Sequence, residues 1–427
     1  MRAAFLHVLS VVIGCLVAVA ALEGASIAWL TLDEGRYSAA PLLFERSQNT
    51  YVRDMTRGTG CRFIDTLYPH PYVAFVHHAN PPCGLDWVND IGLFGPDMPV
   101  QRPADRYTVM LTGGSVASFL GGNQRPPWPN YLQEALQERY HSPTGKPWLV
   151  LDAAAGAWKE PQGFIIAALY AGSVDAFVNL SGYNEHFYFR PRFGQRLEAP
   201  ASNFVSANPY VADENFGDAA IGWVIGRIAG SIQDNAVLNR SHAAYLALTA
   251  VQALATRHEN FAGTVGNGKR TTIRSLFDLP RDIDGDPERQ FDLQLSLYQK
   301  YWRATSALAR DHGLPVSFFL QPVPAWGKTL TEDERRVTGN LSYAELYRRM
   351  VAGMLDLRER GLAVHDLGEV FAAQAGTIYA DDIHYVSNTD GASPGNRLVA
   401  ARIADLLAAD WGLQPRAPRP LRQGDGP

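Results

Sequence analysis

Tyr107-Thr-Val-Met-Leu-Thr-Gly-Gly-Ser115 is the stretch whose reading decides the fold. An apolar run, Val109 to Leu111, meets two glycines and a serine; Val116 to Leu120 and Gly121-Gly122 follow. A short apolar run closed by glycines reads as a buried strand ending in a tight turn. Glycine adopts backbone angles that side chains forbid, so the chain turns sharply there and a ligand can approach. A serine at that point sits at the carboxyl end of a strand, where open α/β sheets bind ligands. Taken alone, such a serine is more often the cap of the next helix than a nucleophile. A partner near the other end of the chain changes that balance.

The partner is Tyr379-Ala-Asp381-Asp382-Ile-His384-Tyr. Histidine is the usual base for a serine hydroxyl, and a carboxylate is the usual group to orient it. Asp381 and His384 are three apart, so one short loop or helical turn brings them together; Asp382 is the competing orienter. Two segments lie between serine and histidine. Val150-Leu-Asp-Ala-Ala-Ala-Gly156 continues the apolar run Trp148–Leu151, and Asp175-Ala-Phe-Val-Asn-Leu-Ser-Gly182-Tyr-Asn184-Glu185 carries a third. Gly156 and Asn184 each fall just past a strand, where a backbone N–H or a side-chain amide can serve an oxyanion. Singly, Gly156 reads as a turn glycine and Asn184 as a turn or cap residue.

In this order and with this punctuation, the four segments resemble the SGNH (GDSL-type) hydrolase family, over about Tyr107 to Leu407. The resemblance implies Ser115 as nucleophile, His384 as base with Asp381 behind it, and an oxyanion hole from the N–H of Ser115, Gly156 and Asn184. It also implies ester chemistry without a metal or organic cofactor. Three positions depart from the family pattern. Gly114 stands where Asp is most frequent, although a glycine variant of this block exists. Phe119 replaces a frequent glycine, and Glu185 follows Asn184 where Asp is usual.

The strands at 107–115, 148–151 and 174–180 alternate with helices near Trp128–Arg139 and Pro161–Ala171. That pattern predicts a three-layer α/β/α domain of about five parallel strands. Residues 187 to about 289 break the alternation and read as a helical insertion, with helices at Ala219–Ile232 and Ala243–Thr256. The glycine-rich Gly263–Lys269 lacks the spacing of a phosphate loop. Regular structure resumes with a helix at Phe291–Asp311, a strand at Leu314–Leu320, a helix at Tyr343–Arg360, a strand at Leu362–Val364 leading to Asp366, and a final helix at Asn396–Ala409. The Pro-, Arg- and Gly-rich tail, 414–427, has the composition of disorder.

The chain of 427 residues carries a formal net charge of -5, and nothing in it suggests a nucleic-acid partner. Ala3 to Leu22 contains no Asp, Glu, Lys or Arg, and about 20 apolar residues suffice to span a bilayer. Residues 1–32 therefore read as a membrane anchor. Arg2 precedes the span and Glu23, Asp33 and Glu34 follow it, which predicts an extracytoplasmic domain. A cleaved signal at Ala18-Val-Ala-Ala21 and a lipoprotein signal at Val12-Ile-Gly-Cys15 are the alternatives. Export makes a disulfide between Cys61 and Cys83 chemically reasonable. Residues 33–105 form an aromatic- and proline-rich lead-in. Its adjacent His77 and His78 point to opposite faces of a strand, which suits structure better than a metal.

These features lead to an expected serine esterase that removes acyl groups, acetyl foremost, from an envelope or secreted carbohydrate. An O-acyltransferase with the same serine and histidine, and an inactive glycan-binding module, are the competing readings. Trp158, Tyr183, Phe187 and Tyr188 are placed to stack on sugar rings or to pack the core.

Overall fold

The computed structural model describes residues 2–34, 66–79, 83, 85, 87–122, 130–191, 194–199, 224, 235, 237–251, 277–388 and 392–417. Helix α1 (Arg2–Glu34) opens the chain, and its Leu6–Asp33 stretch is long and apolar enough to cross a membrane. A hairpin of β1 (Leu67–His70) and β2 (Ala74–His77) follows. The central domain then runs β3 (Tyr107–Gly113), α2 (Ser115–Gly121), α3 (Tyr131–Arg139), β4 (Trp148–Ala154), α4 (Gln162–Tyr170), β5 (Ala176–Ser181) and the single turn α5 (Tyr183–His186). After the insertion come α6 (Pro287–Asp311), β6 (Val316–Leu320), α7 (Glu332–Val337), α8 (Ala344–Leu355), β7 (Val364–Asp366) and α9 (Pro394–Trp411).

The five strands form one parallel sheet in the order β4-β3-β5-β6-β7. Every residue of β3 is buried, as a parallel strand covered on both faces requires. Its side chains alternate between two cores. Val109 and Leu111 share one with Leu132, Leu136, Val399 and Ile403 of α3 and α9. Met110 shares the other with Ile166 and Ala167 of α4 and with Val73 and Phe75 of the hairpin. The expected three-layer α/β/α architecture is therefore present.

The order also creates the site. The chain steps from β3 to β4 on one side, then returns to place β5 on the other. Ligands in open α/β sheets bind outside the carboxyl ends of strands at such a switch point. Register aligns those ends, because Gly113 pairs with both Ala154 and Leu180. The segments carrying Ser115, Gly156 and Asn184 thus leave the sheet along one edge.

Several boundaries differ from the sequence reading for local reasons. Helix α3 begins at Tyr131 because the Asn130 side chain accepts from the Gln133 N–H and caps it. Pro161 caps α4 rather than opening it. The helix from Ala344 is α only to Leu355 and tightens to a 3-10 turn over Asp356–Arg360, where Gly361 ends it. The last strand is Val364–Asp366, not Leu362–Val364. Asp286 and Ser393 cap α6 and α9, each with a proline next. In the insertion, the His242–Val251 helix is the described part of the expected helix Ala243–Thr256. Nearly all of Ala219–Ile232, the whole of Gly263–Lys269, and residues 418–427 lie outside the described residues.

Candidate active site

Ser115 is the first residue of α2, directly after the corner at the end of β3. That corner needs both glycines. Gly113 has φ +148, and a Cβ there would collide with the Leu180 carbonyl and lie 2.7 Å from the Ala117 Cβ. A Cβ at Gly114 would strike the Asn184 amide nitrogen and come within 3.1 Å of the Trp158 carbonyl. The departure at Gly114 thus has a steric cause, since Asn184 and the Trp158 turn occupy the space a side chain would fill.

His384 is buried, and its Nε2 lies 2.8 Å from Ser115 Oγ. Its Nδ1 lies 2.8 Å from Asp381 Oδ2. The other oxygen of Asp381 accepts from the N–H groups of Ile383, at 2.9 Å, and His384, at 2.6 Å. Burial alone would raise the Asp381 carboxyl, but the neighbouring imidazole and these hydrogen bonds hold it well below the usual carboxylate range. An ionised carboxylate only accepts, so Nδ1 carries the proton and donates to it. Nε2 is left to accept the Ser115 hydroxyl. A serine hydroxyl bonded to an imidazole in that tautomer can be deprotonated as it attacks an electrophile.

Asp382 is engaged elsewhere. Tyr183 donates to its Oδ2 at 2.6 Å, which links the Asn184 turn to the histidine loop. Of the two candidate orienters, Asp381 is the one bonded to His384.

The histidine loop is itself pinned. Its two arms close through the Ala380 N–H to the His384 carbonyl, at 2.8 Å, and the Val386 N–H to the Ile378 carbonyl, at 2.7 Å. Beneath it lies Glu334 of α7, whose carboxylate accepts from the N–H groups of Ile378 and Tyr379 at 2.8 and 3.1 Å. Glu334 also takes Lys328 Nζ and the Thr331 N–H, both at 2.7 Å. The Lys328 and Glu334 side chains are wholly buried. Burial opposes ionisation of Glu334, yet the Lys328 and backbone donors win and bring it down to about 2. The sequence reading missed this pair. The signal was present as Thr331-Glu-Asp-Glu334, the Ser/Thr-x-x-Glu pattern of a capping box, which the structure forms.

On the opposite side, the turn Ala155–Trp158 carries Gly156 and closes through the Trp158 N–H to the Ala155 carbonyl, at 3.1 Å. The Ala155 N–H reaches the Gly113 carbonyl at 3.4 Å, tying this turn to the serine corner. Asn184 Nδ2 donates to the Trp158 carbonyl at 2.7 Å. One amide hydrogen is used there and the second remains for another acceptor. The Ser115 N–H lies in the first turn of α2, where backbone donors have no intrahelical acceptor.

Glu185 braces these turns. Its two oxygens accept from the Gly182 N–H at 2.7 Å and the Glu160 N–H at 3.0 Å, so one side chain joins the Asn184 turn to the chain just after the Gly156 turn. Burial raises both Glu185 and Glu160, the latter to about 8, and burial lowers the adjacent Lys159 to about 7.

Phe119, the third departure, sets its ring against His384, with centroids 5.5 Å apart. It belongs to a small core with Cys83, Leu85 and Phe94 of the lead-in. Cys83 is disulfide-bonded and Cys15 is free; Cys61 lies outside the described residues. His77 is buried against Phe94, with ring centroids 4.6 Å apart, and burial lowers its pKa to about 3.

Of the two roles weighed for the aromatics, burial favours core packing over sugar stacking. Trp158, Tyr183 and Tyr188 are buried, and Trp158 spends its ring N–H on the Phe75 carbonyl. They pack the interior and offer no open face; Phe187 is only partly covered. No family model and no curated protein matches the chain.

Proposed function

We propose that the protein is an SGNH-type serine esterase that removes O-acyl groups, acetyl foremost, from an envelope or secreted carbohydrate. The observation that carries this reading is the unbroken relay Ser115 Oγ, His384 Nε2, His384 Nδ1, Asp381 Oδ2, with both contacts at 2.8 Å. In the proposed reaction Ser115 attacks the ester carbonyl while His384 takes its proton, and Asp381 holds the imidazole and stabilises its cation. The N–H groups of Ser115 and Gly156 and the Asn184 amide receive the oxyanion. His384 then gives that proton to the leaving sugar oxygen, which departs as a hydroxyl while the serine stays acylated. Water, activated by the same imidazole, releases the acid and restores Ser115.

The apolar helix α1 supports an envelope substrate. Helix α1 would cross the bilayer, with Arg2 on the cytoplasmic side and the catalytic domain outside. The disulfide at Cys83 suits an oxidising compartment.

The test is incubation of the purified protein with an acetylated polysaccharide, with and without an unacetylated glycan acceptor. Acetate release that depends on Ser115 supports the esterase. Acetyl appearing on the acceptor without free acetate makes the protein a transferase. Glycan binding with neither, unchanged in Ser115→Ala, makes it a binding module.

A further inference from the structure

The insertion that follows Asn184 touches the anchor helix. Between Arg2 and Asp33, Glu23 is the sole Asp, Glu, Lys or Arg of α1, and a carboxylate is expensive to hold in hydrocarbon. Here it is received by the start of the His242–Val251 helix. One oxygen accepts from the Ser241 hydroxyl at 2.6 Å and the Ala243 N–H at 3.1 Å. The other accepts from the His242 N–H at 2.6 Å and lies 3.0 Å from His242 Nδ1. Glu23 is thus a helix cap supplied from another element, satisfying donors the short helix cannot bond itself.

Helix α1 changes character at this residue. Leu6 to Leu22 is exposed all round. Beyond it, Ser26 and Leu30 are buried, and Glu23, Ile27 and Thr31 are partly covered. That spacing is one face of a helix, and the opposite face leaves Trp29 64% and Leu32 83% exposed. Residues 3–22, at about 1.5 Å each, match the roughly 30 Å of a bilayer's hydrocarbon. Glu23 therefore falls at its outer boundary, and Trp29 lies just above, where aromatic residues gather. Immediately before the capped helix, a 3-10 turn runs Leu238–Arg240 and closes through the Ser241 N–H to the Leu238 carbonyl, at 3.1 Å. Val237 is 77% and Leu238 42% exposed, and Arg240 beside them is exposed too.

We propose that residues 237–251 form a second membrane contact. Glu23 clamps this segment to α1, Val237 and Leu238 enter the headgroup region of the bilayer that α1 crosses, and Arg240 meets lipid phosphate. The partner is a lipid surface, continuous with the one around Leu6–Leu22. The catalytic domain is then held at a fixed height above the membrane rather than swinging on a tether. This inference rests on α1 crossing the bilayer.

The experiment uses the full chain in phospholipid vesicles, with an environment-sensitive fluorophore on single cysteines and quenchers carried by the lipids. Native Cys15, free and exposed, reports insertion of α1. Leu238→Cys in a Cys15→Ser background reports the turn, and Val100→Cys, 92% exposed in the native chain, is the aqueous control. Expected are deep quenching at 15, quenching by shallow lipid-borne groups at 238, and none at 100. Glu23→Ala should return the 238 probe to water, and Glu23→Gln, which keeps an acceptor oxygen, should return it less. Quenching at 15 with none at 238 overturns the second contact and leaves the anchor standing; no quenching at 15 removes both. A blue-shifted 238 probe untouched by lipid quenchers means a protein partner and overturns the lipid assignment. Quenching at 238 that survives Glu23→Ala removes the clamp.

Discussion

His384 Nε2 and Ser115 Oγ lie 2.8 Å apart although 269 residues separate them in the chain. Two independently positioned segments meet there: the corner after β3 and a hairpin loop set on Glu334.

Asp381 is the carboxylate in contact with the His384 imidazole. Asp381→Asn should lower kcat roughly 10⁴-fold, the loss typical of an amide that imposes the wrong imidazole tautomer. Asp382→Asn should cost far less, because Asp382 binds Tyr183 and not the imidazole. Steady-state kinetics on an activated acetyl ester measure both, and the reverse ranking contradicts the assignment.

Asn184→Ala should lower kcat by about 10²–10³-fold, the usual loss of one oxyanion donor. Gly114→Asp should be comparably harmful, because its Cβ collides with the Asn184 amide. Both changes act on the same group, so the double variant should be little worse than either alone. Additive losses would show that Gly114 acts by another route.

Glu334 should govern stability and its acid limit. Glu334→Ala leaves Lys328 buried and unpaired, a defect worth about 3–5 kcal/mol. The wild-type carboxyl has a folded pKa of about 2 against an ordinary 4.5. A depressed carboxylate contributes stability that is complete above its unfolded value and lost as pH falls through the folded one. The stability gap between wild type and Glu334→Gln should therefore be full above pH 4.5 and close towards pH 2. Thermal unfolding across that range gives the answer, and a gap independent of pH would contradict it.

Orientation is tested by a reporter fused after Leu413. Activity from a reporter that works only outside the cytoplasm is expected; activity from one that works only in the cytoplasm reverses the topology.

Much of this was legible in the sequence because it depends on local pattern. The run 107–115 showed a buried strand closed by glycines, and the alternation through Leu180 required a parallel sheet. Ser115, Asp381 and His384 stood out because their residue types and order carry chemistry. The bracing residues did not. Glu334, paired with Lys328, accepts from backbone N–H groups more than forty residues away, and no periodicity marks such a contact. Glu185 and Gly114 read as departures from a pattern until the fold set Glu185 against Glu160 and Gly114 against Asn184. Stacking and packing stayed open for Trp158 because sequence gives an aromatic's position and not its burial. The clamp at Glu23 pairs residues 218 apart, and only the fold brings them together.

The central claim is that Ser115 is a nucleophile activated by His384. Its most direct test compares turnover of an activated acetyl ester by wild type, Ser115→Ala and His384→Ala, with folding checked by circular dichroism. The account predicts turnover by the wild type and losses of at least about 10³-fold in both folded variants, since serine and histidine act as a unit. Wild-type turnover by folded Ser115→Ala would contradict it.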